Sequence, residues 1–322
     1  MIVTLTLNPS LDLTYVLVEG ALGDVDVHRA ATTTVEASGK GVNVSLDLHA
    51  AGTPTTAIIP VAGATGRHLV ELLAGAGVAH VGVPVAGETR INTSVLLPGG
   101  TTVKVNGPGE PLARTDVDRL LAAVDAVLAE LDPERESWLV ISGSLPPGLD
   151  PDVVGEFVDL AMRHTVRCAV DISGPALAVA LRHRADLLAP NEIELADLLG
   201  ADLATDTIAA TADAARRLAA DHGVELLVSM GRAGAIHTDG THVLHGGGPA
   251  LVPVNTAGAG DAFLAGWLAA PGTPRDRMTR ALAWGRSACL CPTTVDPAPG
   301  TRGADDLTLT DLSVSVPEME ST

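Results

Sequence analysis

Short apolar runs typical of buried strands alternate with helical patterns along nearly the whole chain, and this alternation restricts its fold more than any other feature. Six runs are short, apolar and bounded by turn residues, which predicts strands: Ile2–Leu7, Thr55–Val61, Trp138–Ser142, Arg167–Ile172, Asp186–Ala189 and Glu225–Ser229. Helical patterns occupy Val42–Ala51, Arg67–Ala76, Asp116–Leu131, Pro151–His164, Ile193–Leu199, Ala209–His222, Gly260–Ala270 and Arg275–Cys289. Such alternation favours an α/β fold in which helices cover both faces of a mostly parallel sheet.

The clearest helix is Asp116–Leu131, whose apolar residues share one face. Thr115 before it and Asp118 three residues later resemble a capping box, with Asp in place of the usual Glu. We therefore expect this helix to begin directly after Thr115.

Two stretches, about 12–36 and 88–107, interrupt the alternation and lack helix signals. The second contains β segments at Thr93–Leu97 and Thr101–Val105 around a Pro98-Gly99-Gly100 turn. Inserted strands that do not join the parallel sheet predict a small second sheet, a lid, on a single domain spanning 1–322. The tail, about 308–322, is rich in Ser, Thr and Glu and is expected to fray.

Charge and composition exclude several classes of partner. Acidic residues outnumber basic ones 39 to 20, which gives a net charge of −19. A protein that binds duplex nucleic acid needs a basic face, so no nucleic acid is expected. The apolar windows are broken before the roughly 18 residues that a membrane span needs, and no signal peptide is evident, so no membrane is expected. Three cysteines without a zinc-binding pattern are typical of a reducing cytoplasm.

The densest chemical signal is the segment from Val254 to Gly266, which joins a turn of small residues to a helix pattern. Gly258 and Gly260 permit close approach of a ligand, and the helix N-terminus after them favours an anion. Asp261 lies beside that position, where it could take a proton from an attacking hydroxyl. The alternative is a glycine-rich turn in which Asp261 is an ordinary first-turn acidic residue.

Four further loops carry candidate site residues. Ser38–Asn43 fails the nucleotide P-loop pattern and suits a small polyol or its phosphate. In Pro190–Glu194, Asn191 and Glu194 could orient waters on Mg²⁺ or could simply form a capping box. Gly143–Gly148 and Ser229–Gly234 follow predicted strands, at the sheet edge where ligands bind in open α/β folds.

Taken together and in this order, seven segments spanning roughly residues 1–290 resemble the ribokinase-like (PfkB-type) carbohydrate kinases, and most of all their 1-phosphofructokinase and tagatose-6-phosphate kinase branch. They are Thr6-Leu-Asn-Pro-Ser-Leu-Asp12, Gly39-Lys-Gly-Val-Asn43, Thr89-Arg-Ile-Asn92, Asn106-Gly-Pro-Gly109, Gly143-Ser-Leu-Pro-Pro-Gly148, Pro190-Asn-Glu-Ile-Glu194 and Asn255-Thr-Ala-Gly-Ala-Gly-Asp261. The resemblance implies a three-layer α/β/α domain with a small β lid.

The resemblance also implies a role for each matching residue. Asp261 matches the general base, and Gly258, Ala259 and Gly260 match the anion hole for the transferring phosphoryl group. The other matches fall into three sets: sugar and sugar-phosphate contacts at Asp12, Gly39, Lys40, Asn43, Arg90 and Asn92; an ATP-binding loop at Ser229, Gly231 and Gly234; and a Mg²⁺-organising pair at Asn191 and Glu194. ATP and Mg²⁺ are the implied cofactors, and a homodimer through the lids is the implied assembly.

Two departures from the branch concern cations. The residue before Pro190 is usually Lys and is Ala189 here, while the residue two after Asn92 is often Lys and is Ser94 here. Lys104 on the adjacent predicted strand could replace the second lysine, and no replacement for the first is evident in the sequence.

The leading hypothesis is a cytoplasmic, ATP-dependent kinase that converts fructose 1-phosphate to fructose 1,6-bisphosphate. A tagatose-6-phosphate kinase, a kinase of an unphosphorylated sugar and an inactive sugar-phosphate-binding protein remain alternatives.

Overall fold

The computed structural model describes residues 1–18, 23, 27–98, 102–200 and 207–313. Gly99 and Gly100 of the predicted turn, and residues 314–322 of the predicted tail, lie outside this range. Among the described residues, no helix combines the length and the apolar character that crossing a bilayer requires.

Strands and helices alternate as the sequence predicts. The strands are β1 Ile2–Leu5, β2 Ser10–Val16, β3 Thr32–Ser38, β4 Thr55–Ala62, β5 Ala79–Val85, β6 Arg90–Leu96, β7 Thr102–Asn106, β8 Trp138–Ser142, β9 Arg167–Asp171, β10 Leu187–Leu188, β11 Glu225–Ser229, β12 Ala235–Thr238, β13 Val243–Gly247 and β14 Thr308–Asp311. The helices are α1 Lys40–Ala50, α2 Gly63–Gly75, α3 Arg114–Ala129, α4 Val153–Arg163, α5 Pro175–Arg182, α6 Glu192–Leu199, α7 Ile208–His222, α8 Ala259–Leu268 and α9 Pro274–Cys289.

The larger sheet has the strand order β14-β13-β12-β11-β10-β9-β8-β1-β4-β5. Its strands are parallel from β5 across to β11, and β12, β13 and β14 add antiparallel strands at the other edge. The chain runs outward from β1 to β4 and β5, then returns to β8 on the other side of β1. This reversal of strand order creates a crevice at the carboxyl ends of β1 and β8, where open α/β sheets bind ligands.

Helices cover both faces of this sheet, and each face has its own apolar core. Helices α3 to α7 pack on one face around residues such as Val124, Phe157 and Leu195. Helices α1, α2, α8 and α9 pack on the other, with Leu48 and Trp267 among their buried side chains. The three-layer α/β/α class predicted from the sequence is confirmed.

A separate four-stranded sheet has the order β3-β2-β6-β7. Its register places Glu36, Asp12, Asn92 and Asn106 side by side in one row across the four strands. Because side chains alternate between the two faces of a strand, Arg90 and Lys104 share the face of Asp12 and Asn92. We call this the inner face, and the opposite one, which carries Val35, Ile91, Val103 and Val105, the outer face.

Several predicted boundaries are wrong; helix α2, for example, begins at Gly63 rather than Arg67. Helix α3 is capped by Ala113 rather than Thr115, because the Asp116 carboxylate accepts a hydrogen bond from the Ala113 N–H at 2.9 Å and fixes the start of the helix there. The predicted frayed tail is ordered at Thr308–Asp311, because these residues pair with β13 as β14.

Candidate active site

The N-terminus of α8 forms one wall of the crevice. Gly258 caps the helix with a φ of 78°, and a Cβ there would lie 2.1 Å from the Thr294 carbonyl oxygen, so the position requires glycine. The first hydrogen bond of this helix runs from the Ala262 N–H to the Gly258 carbonyl, which leaves the Gly260 and Asp261 amides without partners inside the helix. Gly260 is exposed, and its Cα faces open space. Free amides and the helix dipole favour an anion at this position, which makes it a candidate anion site.

The carboxyl group of Asp261 is buried at this anion site. Its Oδ2 accepts a hydrogen bond from Asn43 Nδ2 at 2.7 Å, across 218 positions of sequence. Burial, followed by the nearby charge of Asp171, raises the pKa of Asp261 to about 7, although the Asn43 hydrogen bond and the charge of Lys40 act in the opposite direction. A carboxylate with this pKa exchanges protons near neutral pH, as a general base must.

Lys40 starts α1 and reaches across the crevice to the end of β9. Its Nζ donates to Asp171 Oδ1 at 2.8 Å, and Asp171 Oδ2 accepts a hydrogen bond from Ser142 Oγ at 2.9 Å. The sequence analysis missed both Asp171 and Ser142. The sequence could have indicated both, because each is a polar residue that ends an apolar strand at the carboxyl edge of the sheet.

The inner face of the smaller sheet presents a hydrogen-bonded polar cluster around Asp12. The Asp12 carboxylate accepts hydrogen bonds from Ser10, Ser38 and Asn92 at 2.8 to 2.9 Å. The amide oxygen of Asn92 is buried and has no hydrogen-bond partner among the described residues. Such a cluster presents fixed donors and acceptors of the kind that sugar hydroxyls need.

Arg90 and Lys104 flank this cluster on the same face. Arg90 donates from Nη1 to the Gly107 carbonyl at 3.1 Å, and its buried Nε finds no partner within the described part of the chain. Burial lowers the pKa of Arg90, while the charge of Asp12 opposes that shift. Lys104 is exposed and lies directly opposite Ser94 in the register of β6 and β7.

Asn191 and Glu194 form a complete capping box at the start of α6. The Asn191 side chain accepts the Ile193 and Glu194 amides at 2.9 Å, and Glu194 Oε2 accepts the Asn191 N–H at 2.9 Å. One oxygen of each side chain is therefore occupied, and Glu194 Oε1 is the carboxylate oxygen left outside the box. In the described ranges, no group of three or more His, Cys, Asp or Glu side chains could hold a metal ion.

Asn191 also brings α6 beside the loop that follows β11. It forms an isolated parallel bridge with Ser229, and the loop then turns through Gly231 and Gly234, both with positive φ. A Cβ on Gly234 would lie 2.0 Å from the Gly246 carbonyl oxygen, so a side chain cannot be accommodated there. Two of the predicted loops thus meet at the sheet edge.

The comparisons with known proteins agree with this fold. Residues 5–296 match the family described as pfkB family carbohydrate kinase. The chain is 37% identical over 268 residues to a 1-phosphofructokinase of Rhodobacter capsulatus, covering 82% of each protein. It is 33% identical over 274 residues to the ATP-dependent 6-phosphofructokinase isozyme 2 of Escherichia coli, covering 82% of this chain and 83% of that protein.

Among solved structures, the phosphofructokinase-2 of Escherichia coli in complex with potassium superposes with a TM-score of 0.84 at 29% identity, covering 94% of this chain and 97% of that one. The fold and the crevice define a carbohydrate kinase, and the chain belongs to the PfkB family. It has the ribokinase-like fold that the resemblance implied, and it is a sugar kinase.

Proposed function

We propose that this kinase transfers the γ-phosphoryl group of ATP to fructose 1-phosphate and forms fructose 1,6-bisphosphate. One observation carries the proposal: buried Asp261, at the start of α8, lies close enough to the polar inner face for the charge of Asp12 to raise its pKa, and that face also carries Arg90 and Lys104. The name of the Rhodobacter relative supports the choice of substrate.

The transfer needs positioning and charge stabilisation rather than covalent catalysis. Asp261 takes the proton of the acceptor hydroxyl while the new bond forms between that oxygen and the γ-phosphorus. The bond from the γ-phosphorus to the ADP oxygen breaks, and ADP leaves with that electron pair. Gly258, Ala259 and Gly260 present the helix N-terminus to the equatorial oxygens of the phosphoryl group, whose charge it stabilises.

We assign the sugar to Asp12, Gly39, Asn43 and Asn92, and its phosphate to Arg90 and Lys104. A Cβ on Gly39 would lie 2.9 Å from Thr6 Cγ2. The position therefore favours glycine, and no side chain covers the backbone there, just before α1. The pairing of Lys104 with Ser94 supports the view that Lys104 supplies the cation absent at position 94.

The nucleotide is assigned to Asn191, Ser229, Gly231 and Gly234. Mg²⁺ fits this site only as an ion held largely by phosphates and water, because Asn191 and Glu194 are engaged in their capping box. Glu194 Oε1 would accept hydrogen bonds from the waters that surround the ion. When bound, the ion would supply neutralisation of the triphosphate charge.

We further propose that the inner face closes as a lid over the sugar in a single domain, and that two chains pair through their lids. Support for pairing comes from the outer face, where Val35, Ile91, Val103 and Val105 are exposed by 38, 43, 38 and 66%. Exposed apolar clusters of this kind are typical of interfaces. The free cysteines and the ATP donor support a cytoplasmic location.

The test is turnover of ATP with Mg²⁺ and a panel of fructose 1-phosphate, fructose 6-phosphate, tagatose 6-phosphate and fructose. We expect the highest kcat/KM for fructose 1-phosphate. Asp261→Asn should lower turnover by about 10²- to 10⁴-fold and leave ATP binding nearly unchanged, because a general base contributes in this range. Highest activity on tagatose 6-phosphate or free fructose would support those alternatives, and a protein inactive on every sugar would support a binding protein.

A further inference from the structure

Lys40 is the first residue of α1. Its Nζ is bonded to Asp171, whose side chain is 9% exposed, while the Lys40 side chain itself is 40% exposed. The ammonium group therefore has one side fixed against the protein and another side open to the crevice. Lys40 can reach a ligand there without breaking its hydrogen bond to Asp171.

Lys40 stands three residues before Asn43 on α1, and the bond from Asn43 to Asp261 at 2.7 Å fixes this end of the helix beside Asp261. Burial disfavours the charged form, but the charge of Asp171 and its hydrogen bond raise the pKa of Lys40, and the charges of Asp261 and Glu194 add to the increase. Asp261 marks the acceptor hydroxyl, and Glu194 begins the helix beside the nucleotide loop. A cation under the influence of both carboxylates lies near the path of the phosphoryl group.

The chain has few lysines that could act at this position. The sequence has only two lysines, Lys40 and Lys104. Lys104 is on the smaller sheet, and Ala189, at the position that is usually Lys in this branch, packs against the apolar cluster of α8 and α9. Lys40 is thus the only lysine outside the smaller sheet.

We propose that Lys40 neutralises the transferring phosphoryl group in place of a lysine at position 189, and that Asp171, anchored by Ser142, is the positioning residue that holds its ammonium there. The proposal rests on the kinase function proposed above. Lys40 keeps its proton throughout: the acceptor proton goes to Asp261, and Lys40 contributes charge to the three equatorial oxygens as the bond to ADP breaks.

Kinetics separate this role from a sugar contact. A charge used in the transition state affects kcat, whereas a charge used equally in the ground state affects KM. Lys40→Met should therefore lower kcat by about 10²- to 10³-fold, the loss typical of one oxyanion donor, with little change in the KM for sugar phosphate. Asp171→Asn should lower kcat less, and Lys40→Arg, which retains the charge, should recover part of the activity.

Lys104→Met is the matched control, because it removes the other lysine, which we assign to the phosphate of the sugar. It should raise the KM for fructose 1-phosphate and leave kcat largely unchanged. If Lys40→Met instead raises the KM for sugar phosphate with normal kcat, Lys40 is a sugar contact and the inference is wrong. Inactivity of the wild-type protein on every sugar would contradict the proposed function itself.

A binding measurement needs no turnover and no variant at Lys40. Reductive ¹³C-methylation labels both lysines and the N-terminus, and Lys104→Arg identifies the Lys104 resonance by its loss. A non-hydrolysable ATP analogue with Mg²⁺ should shift the Lys40 resonance, and fructose 1-phosphate alone should shift the Lys104 resonance. A Lys40 resonance that responds to the sugar phosphate but not to the nucleotide analogue would overturn the inference.

Discussion

At the scale of single residues, Asp261 shows how neighbours set the chemistry of a side chain. An exposed aspartate has a pKa near 4 and would be a weak base at neutral pH. Burial raises the pKa of Asp261 to about 7, and Asn43 limits that rise by donating to the ionised form. The Asp261 carboxylate is consequently a stronger base than that of an exposed aspartate, and it is still ionised in part of the protein at pH 7.

The first prediction concerns pH. Because the pKa of Asp261 is raised, its carboxyl stays protonated up to neutral pH, and kcat/KM should increase as the pH rises through about 7. The sugar phosphate itself titrates near 6 and also affects the acid limb, the part of the profile where activity rises with pH. The informative quantity is therefore the difference in the acid limb between the wild-type protein and Asn43→Ala. Asn43→Ala removes a hydrogen bond that favours the ionised form and should move the acid limb to higher pH. Identical acid limbs in both proteins would argue against Asp261 as the titrating base.

The second prediction concerns Arg90. A charged hydrogen bond is worth roughly 1.5–3 kcal/mol, and the planar guanidinium can hold a phosphate through two parallel bonds. Arg90→Ala should therefore lower kcat/KM for fructose 1-phosphate by about 10- to 100-fold or more and change that for fructose little. Lys104→Ala should show the same selectivity more weakly. Equal losses on both sugars would show that Arg90 shapes the lid rather than binding phosphate.

At the scale of elements, α6 depends on one capping box that uses the residues of the predicted Mg²⁺ pair. The Asn191 side chain satisfies two amides of the first turn, and the Glu194 carboxylate satisfies the Asn191 N–H. The sequence analysis left helix capping and Mg²⁺ organisation as alternative roles for these two residues. The structure makes the capping role explicit and leaves one Glu194 oxygen for a second role.

The third prediction separates these roles. In Glu194→Gln the amide oxygen can still accept the Asn191 N–H, so the melting temperature should be nearly unchanged. The Mg²⁺ concentration for half-maximal rate should rise, because the negative charge beside the water shell of the ion is lost. Asn191→Ala is the comparison for capping, since losing an N-cap costs about 1 kcal/mol of stability. An unchanged Mg²⁺ profile in Glu194→Gln would leave Glu194 with the capping role alone.

At the scale of the whole molecule, the two faces of the smaller sheet differ in character, which suits the two roles proposed for it. Alternate residues of β6 and β7 are mostly polar on the inner face and mostly apolar on the outer face, with Leu96 and Thr93 as the exceptions. The same strands can therefore cover a sugar on the inner face and meet a second chain on the outer face.

The fourth prediction is a change of assembly. Val105→Asp places a charge on the outer face, where Val105 is 66% exposed, and should convert a dimer to a monomer in sedimentation equilibrium. Val252→Asp is the matched control, because Val252 is 87% exposed and lies outside both sheets. A wild-type protein that is already monomeric, or a dimer unaffected by Val105→Asp, would exclude pairing through this face.

How far the sequence predicts the fold depends on how local each signal is. Strands β8 and β11 were predicted to the residue, because each is a short apolar run between turn residues. The sequence analysis did not identify β14, which is polar and mostly exposed, because it forms through pairing with β13 rather than through its own pattern. Helix α3 begins earlier than predicted, since the acidic residue that caps it is Asp116 rather than Asp118.

The sequence by itself determined the α/β class, the family and the motif residues, because periodicity and motif spacing are properties of neighbouring positions. Only the tertiary structure decided which residues work together. The Asn43 bond to Asp261 and the pairing of Lys40 with Asp171 join positions 218 and 131 residues apart. Burial, which raises the pKa of Asp261, likewise exists only after the layers have packed. Contacts between positions so far apart depend on how the chain folds, so they cannot be read from the pattern of neighbouring residues.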